Sequence, residues 1–216
     1  MVHNLAENNP LVGQFVAELR NANIQTDRMR FRRNLERIGE VCAYEIARQL
    51  PTKTIDVATP LGIAECLVLE KQPVLATILR AGLPLHQGLL NYFDQADNAF
   101  ISAYRKHHKS GDFTIQLEYL SCPDLDNRIV LLSDPMLATG ASMVVTLNEL
   151  LLQGTPLQIH LVVAIACRQG IAYVKQHHPN ISIWCATIDD ELTAKGYIVP
   201  GLGDAGDLAF GAKMQN

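Results

Sequence analysis

One pattern constrains the fold more than any other: over residues 74–186, short apolar runs alternate with segments of helical period. The runs 74–79, 100–104, 115–120, 129–132, 159–165 and 181–186 are apolar and, taken together, rich in β-branched residues. Several lack the in-out alternation of a half-exposed strand, which suits strands covered on both faces. Helical spacing marks 83–92, 142–153 and 170–177 between the later runs. Strand and helix repeating in this order call for an α/β fold: a central, mainly parallel sheet with right-handed crossovers and flanking helices. Ligands of such sheets bind beyond the carboxyl ends of the strands, so the chemistry is expected in the loops that follow the runs. Two more apolar runs, 55–58 and 64–69, precede this pattern. Two helices are predicted before them at 10–20 and 26–50, the second stopped by Pro51.

A chain of 216 residues, 48% hydrophobic and 19% charged, is expected to form a single globular domain over residues 1–216. Its start, MVHNLAENNP, lacks the basic then apolar character of a secretory leader, and no apolar run reaches membrane-spanning length. A cytoplasmic protein without a membrane partner is expected. Cys42, Cys66, Cys122, Cys167 and Cys185 are scattered and form no C-x-x-C pair, which fits buried thiols in a reducing compartment. The adjacent pairs His107-His108 and His177-His178 diverge from one another and offer no ligand spacing, so no protein-held metal is expected. A net charge of −4 argues against a nucleic-acid partner.

The most informative stretch is RIVLLSDPMLATGAS, in which the run 129–132 leads through Asp134, Pro135, Met136 and Leu137 to Ala138, Thr139, Gly140, Ala141 and Ser142, where a helix opens. Small residues let backbone N–H groups wrap a phosphate, Thr139 and Ser142 add hydroxyl donors, and the helix N-terminus favours an anion. The loop has no G-x-x-x-x-G-K-[ST] pattern and no lysine. Asp134 can accept hydrogen bonds from neighbouring sugar hydroxyls, so the loop reads as a cradle for a ribose 5-phosphate. A plain helix cap made of Thr and Ser uses the same residues.

Near the C-terminus, GLGDAG at 201–206 fits the dinucleotide pattern G-x-G-x-x-G, yet only 10 residues follow Gly206. The helix, second strand and distant acid of that motif have no room, so these glycines serve another purpose.

The segment DPMLATG resembles the phosphoribosyl-diphosphate loop of uracil phosphoribosyltransferases, within the type I phosphoribosyltransferase superfamily. ILRAGL at 78–83 is similar to the family's diphosphate segment, and GYIVPGLGDAGD at 196–207 to its uracil-binding segment. The three matches fall in the family's order and span most of the chain. The resemblance implies the type I phosphoribosyltransferase fold, with a small hood built from the N- and C-terminal segments. It implies a reaction in which uracil and 5-phosphoribosyl diphosphate give uridine monophosphate and diphosphate, with Mg2+ carried mainly on the substrate's diphosphate.

On the same basis Arg80, Arg105, Asp134, Pro135, Met136, Leu137, Ala138, Thr139, Gly140, Ala141, Ser142 and Asp204 belong to the phosphoribosyl-diphosphate site. Ile198, Gly203, Asp204 and Ala205 belong to the uracil site. Asp204 and Arg105 are the expected catalytic side chains, with Asp204 beside the attacking nitrogen. The loop after Arg105 is expected to act as a lid, while Lys106, His107, His108 and Lys109 read as solvated. A homodimer or larger assembly is implied as well. The chain departs from the family at Ala141, where a second glycine is usual, and at Leu208, where a basic residue is usual. The rival from another class is a regulatory protein of the superfamily that senses phosphoribosyl diphosphate and binds RNA, which requires a coherent basic face.

Overall fold

The computed structural model describes residues 1–107 and 113–213, the side chains of 103–117 excepted. Its first helix, α1 (Pro10–Arg20), starts with proline at the first helical position, and the Asn9 side chain accepts from the N–H groups of Leu11 and Val12. Those are the amides that a helix start leaves without carbonyl partners. The next helix, α2 (Arg28–Ala47), begins two residues later than its periodicity suggests, because Asp27 caps it by accepting from Arg30 N–H. Val12, Phe15, Val16 and Leu19 of α1 face inward, as do Phe31, Leu35, Ile38, Cys42 and Ile46 of α2.

The main sheet holds β1 (Val2–Asn4), β4 (Val74–Leu79), β5 (Asp97–His107), β6 (Phe113–Ser121), β7 (Ile129–Ser133), β8 (Met136–Leu137), β9 (Gln158–Cys167) and β10 (Ser182–Asp189). Their order is β1-β10-β9-β7-β4-β5-β6, with the short β8 added to β9. Every pairing is parallel except β5 with β6. The crossovers run through α3 (Leu83–Leu90), α4 (Ala141–Leu151) and α5 (Arg168–His177).

Two hydrophobic clusters cover the two faces of the sheet. One joins Leu75, Leu131, Val162 and Trp184 to α1, α2 and α3. The other joins Val74, Ala76, Val130, Leu132, Leu161 and Val163 to α4 and α5. Successive residues of a strand point to opposite faces, so a strand buried on both sides must be apolar throughout.

Two differences from the sequence expectation concern strands of the expected runs. The runs 55–58 and 64–69 do not join the main sheet but form a separate antiparallel hairpin, β2 (Thr52–Thr59) with β3 (Gly62–Leu69). No residue of β2 is buried, and Leu61 at its tip, Ile63 and Leu67 are largely exposed. β-Branched composition signals a strand but does not say which sheet receives it. The second difference lies in β5, which continues through Arg105, Lys106 and His107 paired to β6, where a loop was expected.

The C-terminal segment folds over the carboxyl ends of the sheet as β11 (Glu191–Leu192), β12 (Ile198–Val199) and α6 (Ala205–Phe210). It leans on the N-terminal helices: Arg32 of α2 donates to Ala209 O at 2.7 Å, and its guanidinium lies 5.9 Å from the centre of the Phe210 ring. Among the described residues no helix is long and apolar enough to cross a membrane.

Candidate active site

Three loops beyond the carboxyl ends of the strands carry the expected site residues. The first follows β7. Asp134 N–H donates to Val162 O at 3.1 Å, and Pro135 O accepts from the N–H groups of Ala164 and Ile165, each at 3.0 Å. Met136 and Leu137 then pair with Ile165 and Ala166 as β8. The loop is therefore stitched to β9 before it turns into α4.

The turn itself runs through Ala138 and Thr139 to Gly140, which has φ +83° and precedes the first residue of α4, Ala141. A Cβ at Gly140 would stand 2.9 Å from Gly170 O and 3.2 Å from the Tyr173 ring, so both the left-handed backbone and the contact with α5 require glycine. Thr139 Oγ1 accepts from Ala141 N–H at 3.3 Å, while Gly140 caps the helix without a side chain. The other first-turn amides of α4 have no carbonyl of their own helix to bond, which leaves donors at the place where the cradle was expected. The helix starts one residue earlier than its periodicity suggests, at the alanine that departs from the family pattern.

Asp134 sits half-buried at the floor of this loop. Loss of solvent around its carboxyl group pushes its pKa up to about 7, only partly offset by the hydrogen bond it accepts from Met136 N–H. Near neutral pH the group is poised between acid and carboxylate.

The second loop follows β4. Arg80 extends from it and donates through Nη2 to Asp207 Oδ1 at 2.9 Å and to Gly211 O at 2.7 Å. Both partners lie in the C-terminal segment, so Arg80 joins the loop after β4 to that segment. Its side chain remains 36% exposed.

The third loop is the C-terminal turn. Ile198 lies in β12 with its side chain buried, Gly203 and Asp204 are exposed, and Ala205 is buried as the first residue of α6. Asp204 caps α6 by accepting from Asp207 N–H at 3.0 Å, as an ordinary turn aspartate would, and still faces solvent. Positions across the loops are in contact: a Cβ at Gly196 would meet Thr139 Cγ2 at 3.4 Å. One at Gly206 would meet Asp204 Oδ1 at 3.3 Å and Ala81 Cβ at 3.7 Å. Leu208 is half-buried and packs on the core cluster, which gives an apolar residue a structural use there.

The structure thus brings together the loops carrying Arg80, Asp134 to Ser142, and Ile198 to Ala205. Arg105 stands in β5 opposite Ile115, and its side chain is outside what is described. The expected lid lies mainly in residues 108–112, which are outside the described residues. Sequence reasoning missed Arg20 and Asp189, which hold the third loop from beneath.

The sequence profile of the uracil phosphoribosyltransferase family matches residues 6–212. The chain belongs to that family. A uracil phosphoribosyltransferase of Porphyromonas gingivalis is 50% identical over 99% of both chains. One from Thermococcus gammatolerans is 35% identical, covering 97% of this chain and 93% of its own. Among solved structures, the AQ2163 protein from Aquifex aeolicus superimposes with a TM-score of 0.88 at 29% identity, covering all of both chains. The three loops all fall inside the span matched to the uracil phosphoribosyltransferase family, as do α1 and α2.

Proposed function

We propose that the protein, acting as a single domain, transfers the phosphoribosyl group of 5-phosphoribosyl diphosphate to uracil. The observation that carries this reading is the meeting of three loops beyond the carboxyl ends of the strands: a candidate phosphate cradle, an arginine loop and a glycine-rich turn. In the proposed reaction the uracil N1 to ribose C1 bond forms, the C1 to diphosphate oxygen bond breaks, and the N1 proton is lost. Thr139, Gly140, Ala141 and Ser142 hold the 5-phosphate on the first turn of α4. Asp134, as carboxylate, accepts from the ribose hydroxyls. Pro135, Met136, Leu137 and Ala138 position these groups through their backbone.

Arg80 takes the diphosphate, where negative charge builds as it leaves, and Arg105 is assigned to the phosphoribosyl-diphosphate site by its place in the family pattern. Arg80 is tied to Asp207 and Gly211 in the free protein, so substrate takes over a guanidinium that is already oriented. Uracil presents two carbonyls flanking an N–H, and the backbone of Ile198, Gly203 and Ala205 supplies the matching donors and acceptor. Asp204, exposed beside them, takes or polarises the N1 proton. Magnesium is expected on the substrate's diphosphate, where it keeps much of its water and takes few protein ligands. That ion supplies charge neutralisation for the leaving group. The protein is proposed to work in the cytoplasm and as a homodimer or larger assembly; the exposed Leu61, Ile63 and Leu67 of the hairpin support the assembly.

Base selectivity tests this reading. With phosphoribosyl diphosphate and magnesium, uracil is expected to be consumed while cytosine, hypoxanthine and guanine are not. Cytosine sets an amino donor against a donor and leaves buried groups unpaired. Nucleotide formed from a purine, or from cytosine at a comparable rate, would overturn it.

A further inference from the structure

The turn assigned to uracil recognises its ligand through backbone groups, and backbone cannot be adjusted by rotating a side chain. Its geometry must be set in advance, and the structure shows by what. Gly201, at the head of the turn, has φ +52°, and a Cβ there would stand 2.1 Å from Ile198 O. Both of its backbone groups are bonded outside the turn. Gly201 N–H donates to Asp189 Oδ2 at 2.9 Å, and Gly201 O accepts from Arg20 Nη1 at 3.0 Å. Arg20 and Asp189 are in turn joined twice, Nη1 to Oδ2 at 2.8 Å and Nη2 to Oδ1 at 2.6 Å. The result is a closed ring of four hydrogen bonds linking the last residue of α1, the last residue of β10 and the turn. The Asp189 side chain is only 5% exposed and that of Arg20 22%, so the ring is largely shielded from competing water.

We propose that Arg20 and Asp189 are positioning residues that fix the base-binding turn and so set the affinity for uracil without touching it. The proposal rests on the assignment of that turn to the base. Neither residue lies in a loop that contacts substrate, and 169 positions separate them in the chain. The planar fork of arginine can hold both carboxylate oxygens and a carbonyl in fixed directions. Lysine keeps the charge but not the fork, and Asn in place of Asp189 keeps one acceptor but loses the charge.

The test uses the full chain with Arg20→Lys and Asp189→Asn, each checked for a wild-type circular dichroism spectrum. KM for uracil is expected to rise roughly 10-fold or more while KM for phosphoribosyl diphosphate stays within about 2-fold, since small misplacements of a binding group are costly. A purely structural pair would lower the melting temperature and leave the ratio of the two KM values unchanged. Hydrogen exchange of residues 196–207, read without substrate, gives an activity-independent measure: the Gly201 amide is expected to be protected in the wild type and to exchange faster in both variants. An unchanged KM for uracil in the folded variants, or unaltered exchange, overturns the proposal. Arg20→Lys keeps charge and bulk, so it carries the test if Asp189→Asn does not fold. A wild-type protein that makes no uridine monophosphate would defeat the functional reading instead, and the exchange measurement would still report on the clamp.

Discussion

Replacing Asp134 with Asn isolates a carboxyl group of the three loops whose ionisation is poised near neutrality. Burial raises its pKa from the ordinary aspartate value of 3.8 to about 7. At pH 8 the group is about 90% ionised and at pH 6 about 10%, so binding that requires the carboxylate weakens about 10-fold between the two. Hydrogen bonds from ribose hydroxyls to a carboxylate contribute about 1.5–3 kcal/mol, so the Asn variant is expected to bind phosphoribosyl diphosphate roughly 10- to 100-fold more weakly at pH 8. At pH 6 that difference should shrink about 10-fold. Calorimetric titration of both proteins from pH 6 to pH 8 reads the ratio of their affinities, in which the substrate's own phosphate ionisation cancels. The free protein should behave oppositely. A carboxyl group whose folded pKa is raised loses stability as pH rises from about 4 through about 7, so the Asn variant should gain thermal stability relative to wild type above pH 7. A wild-type to variant affinity ratio that stays constant across the range would refute the reasoning.

Other substitutions test separate parts of the account. Gly201→Ala places a methyl group 2.1 Å from Ile198 O at φ +52°, so uracil affinity should fall and the melting temperature drop, as read by activity and calorimetry. His160 is held neutral by burial, with the charges of His3 and the amino terminus nearby, and its pKa falls to about 4 while its Nδ1 accepts from Trp184 Nε1 at 3.0 Å. A depressed histidine withdraws stability as pH falls from about 6.5 to about 4, here about 3 kcal/mol. His160→Gln should flatten that acid limb, followed by fluorescence of the chain's one tryptophan. Asp204→Asn keeps a side-chain acceptor for capping α6, so folding should persist while turnover falls at least 10-fold if the carboxylate handles the N1 proton. Near-normal turnover in a folded variant would remove Asp204 from that role.

Much of this was legible in the sequence because local and tertiary demands agree there. Pro10–Arg20 and Val74–Leu79 match their elements end to end, since proline and Asn9 mark the helix start and a doubly buried strand must be apolar throughout. The turn between β7 and α4 was legible because small residues separate a buried apolar run from a segment of helical period. What escaped was decided by partners far along the chain. The hairpin 52–69 carries the same β-branched composition as the buried strands, and only its pairing separates it from them. Val2–Asn4 has no strand pattern of its own and becomes one by pairing with β10, where His3 stacks on Trp184 at 3.7 Å between ring centres. Arg20 reads as an ordinary cation at a helix C-terminus, and Asp189 as one of two acids after a strand. Their bond to each other and to Gly201 has no local signature.

The central claim is that these three loops form one active site for uracil and phosphoribosyl diphosphate. Purified protein incubated with labelled uracil, phosphoribosyl diphosphate and magnesium tests it in a single chromatographic measurement. Labelled uridine monophosphate should accumulate, with one diphosphate released for each uracil consumed. No labelled nucleotide at any practical protein concentration, or diphosphate release independent of uracil, would contradict it.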